Sequence, residues 1–286
     1  MMRGDSRTGP AWVAALTVLV AATPGSAAAQ DALARERAEF TRWLMTSPVS
    51  PAAAVAHRPV GTGVTLGPVG ADVPVAGIPP GRLAAERGGV VLEEDGRRRP
   101  LPHGRPVRLG DRILVVGGPR EAPWVTLFDS ASARKPTAFY PGAQGLSFVG
   151  PLEPAARPAT VRLLTLDGVE VEATEAGRVR VPLGRGTATL AVRRVPDPAT
   201  GEAELEVYFQ DETNGDGTYP AGRFVTLDPL PDGRYRLDFN RARNPFCAYS
   251  TAFPCPVPWP GNRVAARLEA GERYAGGGLD APAARP

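Results

Sequence analysis

Seven polar residues between positions 211 and 244 have the types and spacing that could do chemistry: Asp211, Thr213, Tyr219, Arg223, Asp238, Asn240 and Asn244. A carboxylate set beside a guanidinium can hold a polar ligand through paired, charge-assisted hydrogen bonds. The same carboxylates could instead supply the acid or nucleophile of a hydrolase. A third use is purely structural, because buried Asp, Asn and Arg also serve to satisfy the backbone of a long loop.

Other chemistries find less support. His57 and His103 are the only histidines, and both lie in the N-terminal half beside Pro or Gly-rich loops. No Gly-x-Ser-x-Gly, Walker-type or His-Glu-x-x-His pattern occurs. Residues 212–217 open like a calcium loop, but the twelfth position is Arg223, a cation where a bidentate Glu is required. A tight Asn-Gly-Asp-Gly turn explains them better. No metal or cofactor is therefore expected. Cys247 and Cys255, with seven residues between them, read as a disulfide in an oxidising compartment. The loop-entropy model assigns so short a ring about 2.5 kcal/mol.

The elements that must position these residues are strands. Of 286 residues, 33 are Gly and 32 are Pro, scattered without a period, which favours many short strands over long helices. Apolar side chains alternate at Leu205, Val207 and Phe209, at Val225 and Leu227, and at Tyr235, Leu237 and Phe239. Repeated period-two alternation indicates an antiparallel sheet with one buried face. Asp211 shares the parity of Phe209, and Arg223 that of Val225. The two should meet at the base of the loop joining their strands, as a partly buried, bidentate ion pair. Asp238 and Asn240 have the opposite parity and should face solvent or a covering loop. Opposite parity also argues against Asp211 and Asp238 converging as a glycosidase pair.

The expected architecture is mainly β, with two β-sandwich or barrel-like units and an N-terminal amphipathic helix. Residues 1–29 have the layout of a cleavable signal peptide: Arg3 and Arg7, an apolar run over 11–22, then Ala27 and Ala29 at the −3 and −1 positions. Its removal takes away Arg3, Arg7 and Asp5 and lowers the net charge from +3 to +2, too small to argue for nucleic acid. No later segment could span a membrane as a helix. A secreted or periplasmic location follows as an expectation. Residues 30–48 read as the helix, with Leu33, Phe40, Trp43 and Leu44 on one face and Arg35, Glu36, Arg37, Glu39 and Arg42 filling the rest. A small β subdomain is expected over 49–118, and a Pro-rich connection with one strand over 119–158. An antiparallel β domain with the disulfide-closed loop follows over 159–274, and a disordered tail over 275–286. Val264, Ala266 and Leu268 are candidates for a last strand.

The stretch from 209 to 272 resembles a bacterial family known as domain of unknown function 1684. The resemblance rests on Asp211, Thr213, Gly215, Thr218, Tyr219, Ala221, Gly222 and Arg223, then on Asp238, Phe239, Asn240, Ala242, Asn244 and Pro245. Cys247, Cys255, Pro256, Asn262, Ala270, Gly271 and Glu272 complete it. Pro220, Arg243 and Phe246 depart from it, where the family pattern has Gly, Tyr and Pro. The resemblance implies no definite activity. The leading expectation is an exported, non-catalytic β protein binding a small polar ligand or an envelope component in a cleft lined by Asp211, Tyr219, Arg223, Asn240 and Asn244. A hydrolase using the Asp211, Arg223 and Asp238 cluster and a purely structural envelope protein are the alternatives.

Overall fold

The structure, a computed structural model, describes residues 24–87, 89–183, 186–196 and 202–274. Most of the expected signal peptide, 1–23, and the expected tail, 275–286, lie outside the described residues. The protein is mainly β, with curled sheets forming half-barrel-like units and one N-terminal α-helix. No helix among the described residues is long and apolar enough to cross a membrane.

Helix α1 runs Pro24–Thr46, beginning several residues before the expected start. Pro24 is tolerated there because the first turn needs no donor from it. The packed face is Leu33, Glu36, Arg37, Phe40, Thr41 and Leu44, a stripe at helical spacing, while Trp43 is partly exposed beside it. Glu36 and Arg37, expected on the solvent side, are thus part of the contact. Arg37 donates to the carbonyls of Tyr140 at 2.7 Å and Asn240 at 2.9 Å, which fastens the helix to the C-terminal body. At the other end, the Ser50 hydroxyl donates to Leu44 O, and Arg134 donates to the carbonyls of Met45 and Ser47. A cation on these orphan carbonyls suits a helix C-terminus.

The first β unit comprises β1 (Ala54–Pro59), β2 (Val64–Gly67), β3 (Val73–Pro74), β4 (Gly81–Glu86), β5 (Gly89–Glu94), β6 (Arg97–Leu101), β7 (Val107–Leu109), β8 (Arg112–Gly117) and β9 (Trp124–Phe128). They form a sheet of order β1-β9-β8-β7 and another of order β3-β2-β4-β5-β6, which share one core around Leu66, Leu83, Leu92, Leu114, Val125 and Leu127. The strand foreseen inside the 119–158 connection is β9, and it pairs with both β1 and β8. The first unit therefore extends to Phe128.

The second unit is a sheet of order β10-β17-β16-β15-β14-β13-β11, with β12 also on β13. Its strands are β10 (Ser147–Gly150), β11 (Glu153–Pro154), β12 (Thr160–Leu164), β13 (Glu170–Leu183), β14 (Gly186–Pro196), β15 (Ala203–Phe209), β16 (Arg223–Pro229) and β17 (Tyr235–Asp238). The inner face carries Val179, Val192, Val207, Phe209, Val225 and Leu237. The alternation expected to leave the other face wet fails at β15 and β16, where Val207, Tyr208, Phe209, Phe224 and Val225 are all buried. Tyr208 stacks on Phe224 at 4.1 Å, and Trp259 and Trp124 pack over them. This second apolar face is where the first unit and the disulfide loop dock. Val264 and Leu268 are buried as expected, but their segment is no regular strand. It follows the end of β15 through Val264 N to Gln210 O at 2.8 Å and Glu212 N to Ala266 O at 3.1 Å.

His57, on β1, belongs to the packing between units. Its ring stacks on Trp124 at 4.7 Å and meets Phe253 at 4.8 Å, while Nδ1 shares a 2.8 Å hydrogen bond with Thr126. Burial, with Arg58 nearby, pushes the imidazole down to about 4. The unfolded chain, titrating near 6.5, binds more protons between those values, so this contribution is complete above pH 6.5 and lost as pH falls through 4. The stability advantage of the wild type over His57→Phe should therefore shrink in urea titrations as pH is lowered from 7 to 4. An advantage of constant size would contradict a neutral, buried imidazole.

Candidate functional site

The loop between β15 and β16 brings Asp211 and Arg223 together, because Phe209 and Arg223 are register partners and Asp211 lies two residues beyond. Both charged side chains are fully buried, and Arg223 Nη2 lies 2.5 Å from Asp211 Oδ2. The expected bidentate geometry is absent. Asp211 Oδ1 instead accepts from Thr213 N at 2.6 Å and from the Thr213 hydroxyl at 2.5 Å. The guanidinium turns other donors to backbone carbonyls, Nη2 to Leu268 O at 3.0 Å and Nη1 to Ala270 O, leaves Nε without a partner among the described residues, and lies over the Phe209 ring. Desolvation lowers the Arg223 pKa even with Asp211 beside it. Thr213 bonds Thr218 at 2.8 Å, and the buried Tyr219 hydroxyl sits 3.3–3.4 Å from both cysteine sulfurs. Burial pushes Tyr219 up to about 12. Cys247 and Cys255 lie at disulfide distance, with Cα atoms 5.5 Å apart.

Asp238, Asn240 and Asn244 are occupied elsewhere. Asp238 Oδ1 accepts from Asn240 N at 3.1 Å and Asn240 Nδ2 at 2.8 Å, capping the turn Phe239–Arg241. Asn240 also clasps the backbone of Ala143 through both ends of its amide, at 2.8 and 2.9 Å. These two therefore face a covering segment. Asn244 N donates to Glu272 Oε2 at 2.9 Å, and its Nδ2 to Arg273 O at 3.1 Å. Glu272 is fully buried and takes the hydroxyls of Thr137 and Tyr249 as well; desolvation outweighs these donors and raises its pKa. Gly271 turns the chain into this site at φ +71°, where a Cβ would strike the carbonyls of Phe239 and Ala242.

The cleft expected from Asp211, Tyr219, Arg223, Asn240 and Asn244 is thus corrected to a closed network. Parity sent Asp211 and Arg223 inward, but residues 264–272 then cover them and accept hydrogen bonds from Arg223. Thr213 is sealed in with them, and Asp238 lies apart on the turn that it caps.

An open concavity does exist, on the other face of the sheet beneath α1. Two adjoining cavities of about 410 and 380 Å³ share Glu36, Leu166 and Arg243. The first is walled by Phe40, Trp43 and Phe246, with Glu39 and Asn244 at its edge. The second is lined by Glu204, Glu206, Phe224, Thr226, Asp228 and Arg241. Glu36 ties the roof to the floor, pairing with Arg243 at 3.1 Å and Arg241 at 3.3 Å, and Arg241 reaches Asp228 at 3.5 Å. Arg243, noted in the sequence only as a departure from the family pattern, lies over the Phe40 ring at 4.7 Å.

Glu206 is the residue that strand parity missed. Between Leu205 and Val207 its parity is that of the outer face, but Tyr208 and Phe224 are apolar on that same face, which is the signal that the face is covered. Glu206 Oε2 is buried without a hydrogen-bond partner among the described residues. Burial, reinforced by Glu204 and Asp167, pushes its carboxyl up to about 8, so it is protonated at neutral pH. Among the described residues no three metal-ligating side chains converge.

Removing one partner of the sealed pair leaves an uncompensated buried charge. Arg223→Ala should lower unfolding free energy by about 3–5 kcal/mol, and the apolar double replacement Asp211→Leu with Arg223→Met should recover much of it. An unchanged melting temperature in Arg223→Ala would refute the sealed network. For Glu206 the folded pKa lies above the unfolded 4.5, so the neutral carboxyl's contribution is present below pH 4.5 and lost as pH rises through 8. Glu206→Gln, which stays neutral, should match the wild type in thermal melts at pH 5 and exceed it at pH 9. Parallel curves for the two proteins would show that Glu206 titrates normally.

Comparison with known proteins bears on the second unit. Residues 135–273 match the family model described as a protein of unknown function, DUF1684. No curated protein matches the chain. An uncharacterized protein of Haloarcula marismortui, solved by solution NMR, is similar at 30% identity over 49% of this chain and 76% of that one, with a TM-score of 0.41. The matched segment holds the Asp211–Arg223 pair, the buried Glu272 and the floor of the groove, and through it the chain belongs to the DUF1684 family.

Proposed function

We propose that this is an exported, non-catalytic binding protein that takes a small amphipathic ligand into the groove between α1 and the outer face of the second sheet. The observation that carries the reading is the pair of adjoining cavities, one apolar and one polar, each of small-molecule size. An apolar body would rest among Phe40, Trp43 and Phe246, and a polar group would reach the β15–β16 floor. The tripartite N-terminus and the close cysteine pair support a secreted or periplasmic setting. An envelope component fits the same setting.

A hydrolase remains the second reading on one observation, the Glu206 carboxyl raised to about 8, which suits a general acid at neutral pH. A purely structural role accounts for the sealed network around Arg223 but leaves the groove and the unpartnered Glu206 oxygen without a purpose.

Native mass spectrometry of the exported protein tests the binding reading. A small molecule should co-purify with the wild type and be absent from Leu166→Trp, which fills the groove between its two halves. A co-purified molecule that stays chemically unchanged on incubation would favour binding over hydrolysis. Identical bare masses for both proteins would dismiss the groove as a ligand site.

A further inference from the structure

The groove is acidic in a way its own cations do not correct. Five carboxyl groups line it, those of Glu36, Glu39, Glu204, Glu206 and Asp228, against two guanidinium groups, Arg241 and Arg243. Both arginines are already engaged, Arg243 with Glu36, and Arg241 with Glu36 and Asp228. No described cation pairs with Glu206, and its buried Oε2 has no donor. The aromatic side chains at the far end, Trp43 and Phe246, have ring centroids 6.4 Å apart, and Trp43 is partly open to solvent.

An anionic ligand would meet an excess of negative charge, and a neutral one would bring no charge to balance it. An ammonium group supplies what is missing, a positive charge with N–H donors, while an attached aromatic or aliphatic body covers the aromatic wall. Resting on the ligand-binding reading above, we propose that the groove is selective for a primary amine with an apolar body, its ammonium hydrogen-bonded to the carboxylate of Glu206. Binding then requires that Glu206 release its proton to solvent as the ammonium takes its place, so one proton leaves for each amine bound. The groups around Glu206 fit this exchange. Glu204 on its own strand, Asp167 before β13 and Asp228 on β16 all favour a cation. Arg193 is its register partner on β14 but lies over the Trp259 ring, and Arg241, Arg243 and Glu36 are paired among themselves.

Isothermal titration with 2-phenylethylamine and with phenylacetate separates the charges. The amine should bind and phenylacetate should not. Repeated in phosphate and in Tris at pH 7, the amine titration should show release of close to one proton. Its affinity should tighten about tenfold per pH unit between pH 6 and 8, as Glu206 ionises. Trimethyl(2-phenylethyl)ammonium, which has the charge without N–H donors, should bind at least about tenfold more weakly, the worth of one charge-assisted hydrogen bond. Glu206→Gln should lose most of the amine affinity and all of the proton release without a lower melting temperature at pH 7. Phenylacetate binding that Leu166→Trp abolishes would keep the groove and overturn the amine. Amine binding with no proton release, or with undiminished affinity in Glu206→Gln, would overturn it too. Silence of every probe at millimolar concentration would do the same, while co-purification of another ligand would leave the groove itself standing.

Discussion

One buried guanidinium organises the second half of this protein. Arg223 sits at the first position of β16 with its charge wholly out of water, and a lone cation there is prohibitive. Asp211 supplies the counter-charge, but a single carboxylate cannot satisfy five donors. The carbonyls of Leu268 and Ala270 take up others, and this demand holds residues 264–272 across the end of the sheet. That path in turn delivers Glu272 to Asn244, Thr137 and Tyr249. The disulfide loop, the connection before β10 and the sheet end are thereby joined through a chain of polar contacts that begins at one side chain.

The same arrangement explains why the sheet has two apolar faces. Once the C-terminal segment closes the inner face, the loop carrying Trp259 returns over the outer one, where Tyr208 and Phe224 stack. Trp124 from the first unit and helix α1 complete the cover, but not uniformly. Between α1 and the β15–β16 floor the cover stands off, bridged by Glu36 and its two arginines, and the groove is the gap that remains. A closed polar network on one side and an open polar cleft on the other are consequences of a single sheet buried twice.

Three buried ionisable groups are held away from their ordinary titration by the same physical cause, desolvation, with opposite results for charge. His57 is kept neutral by having its pKa depressed, and Glu206 and Glu272 are driven toward neutrality by having theirs raised. Glu272 has three donors to offset burial, whereas Glu206 has an oxygen with none. That difference separates a structural carboxyl from one available for chemistry or binding.

Parity along the strands was sufficient to place Asp211 against Arg223, and the spacing of Cys247 and Cys255 was sufficient to pair them, because both depend on local geometry with a short reach. The mainly β character, the helix and the family were legible for the same reason: alternation, helical spacing and motif order are properties of neighbouring residues. The sequence by itself could not say that Arg223 would be sealed, since its carbonyl acceptors come from 45 and 47 positions away. Nor could it reveal Glu206, whose parity pointed to water until another layer of the protein covered that face. Burial of the second face is set by how three separate segments dock, and no periodicity within one strand encodes the position of another.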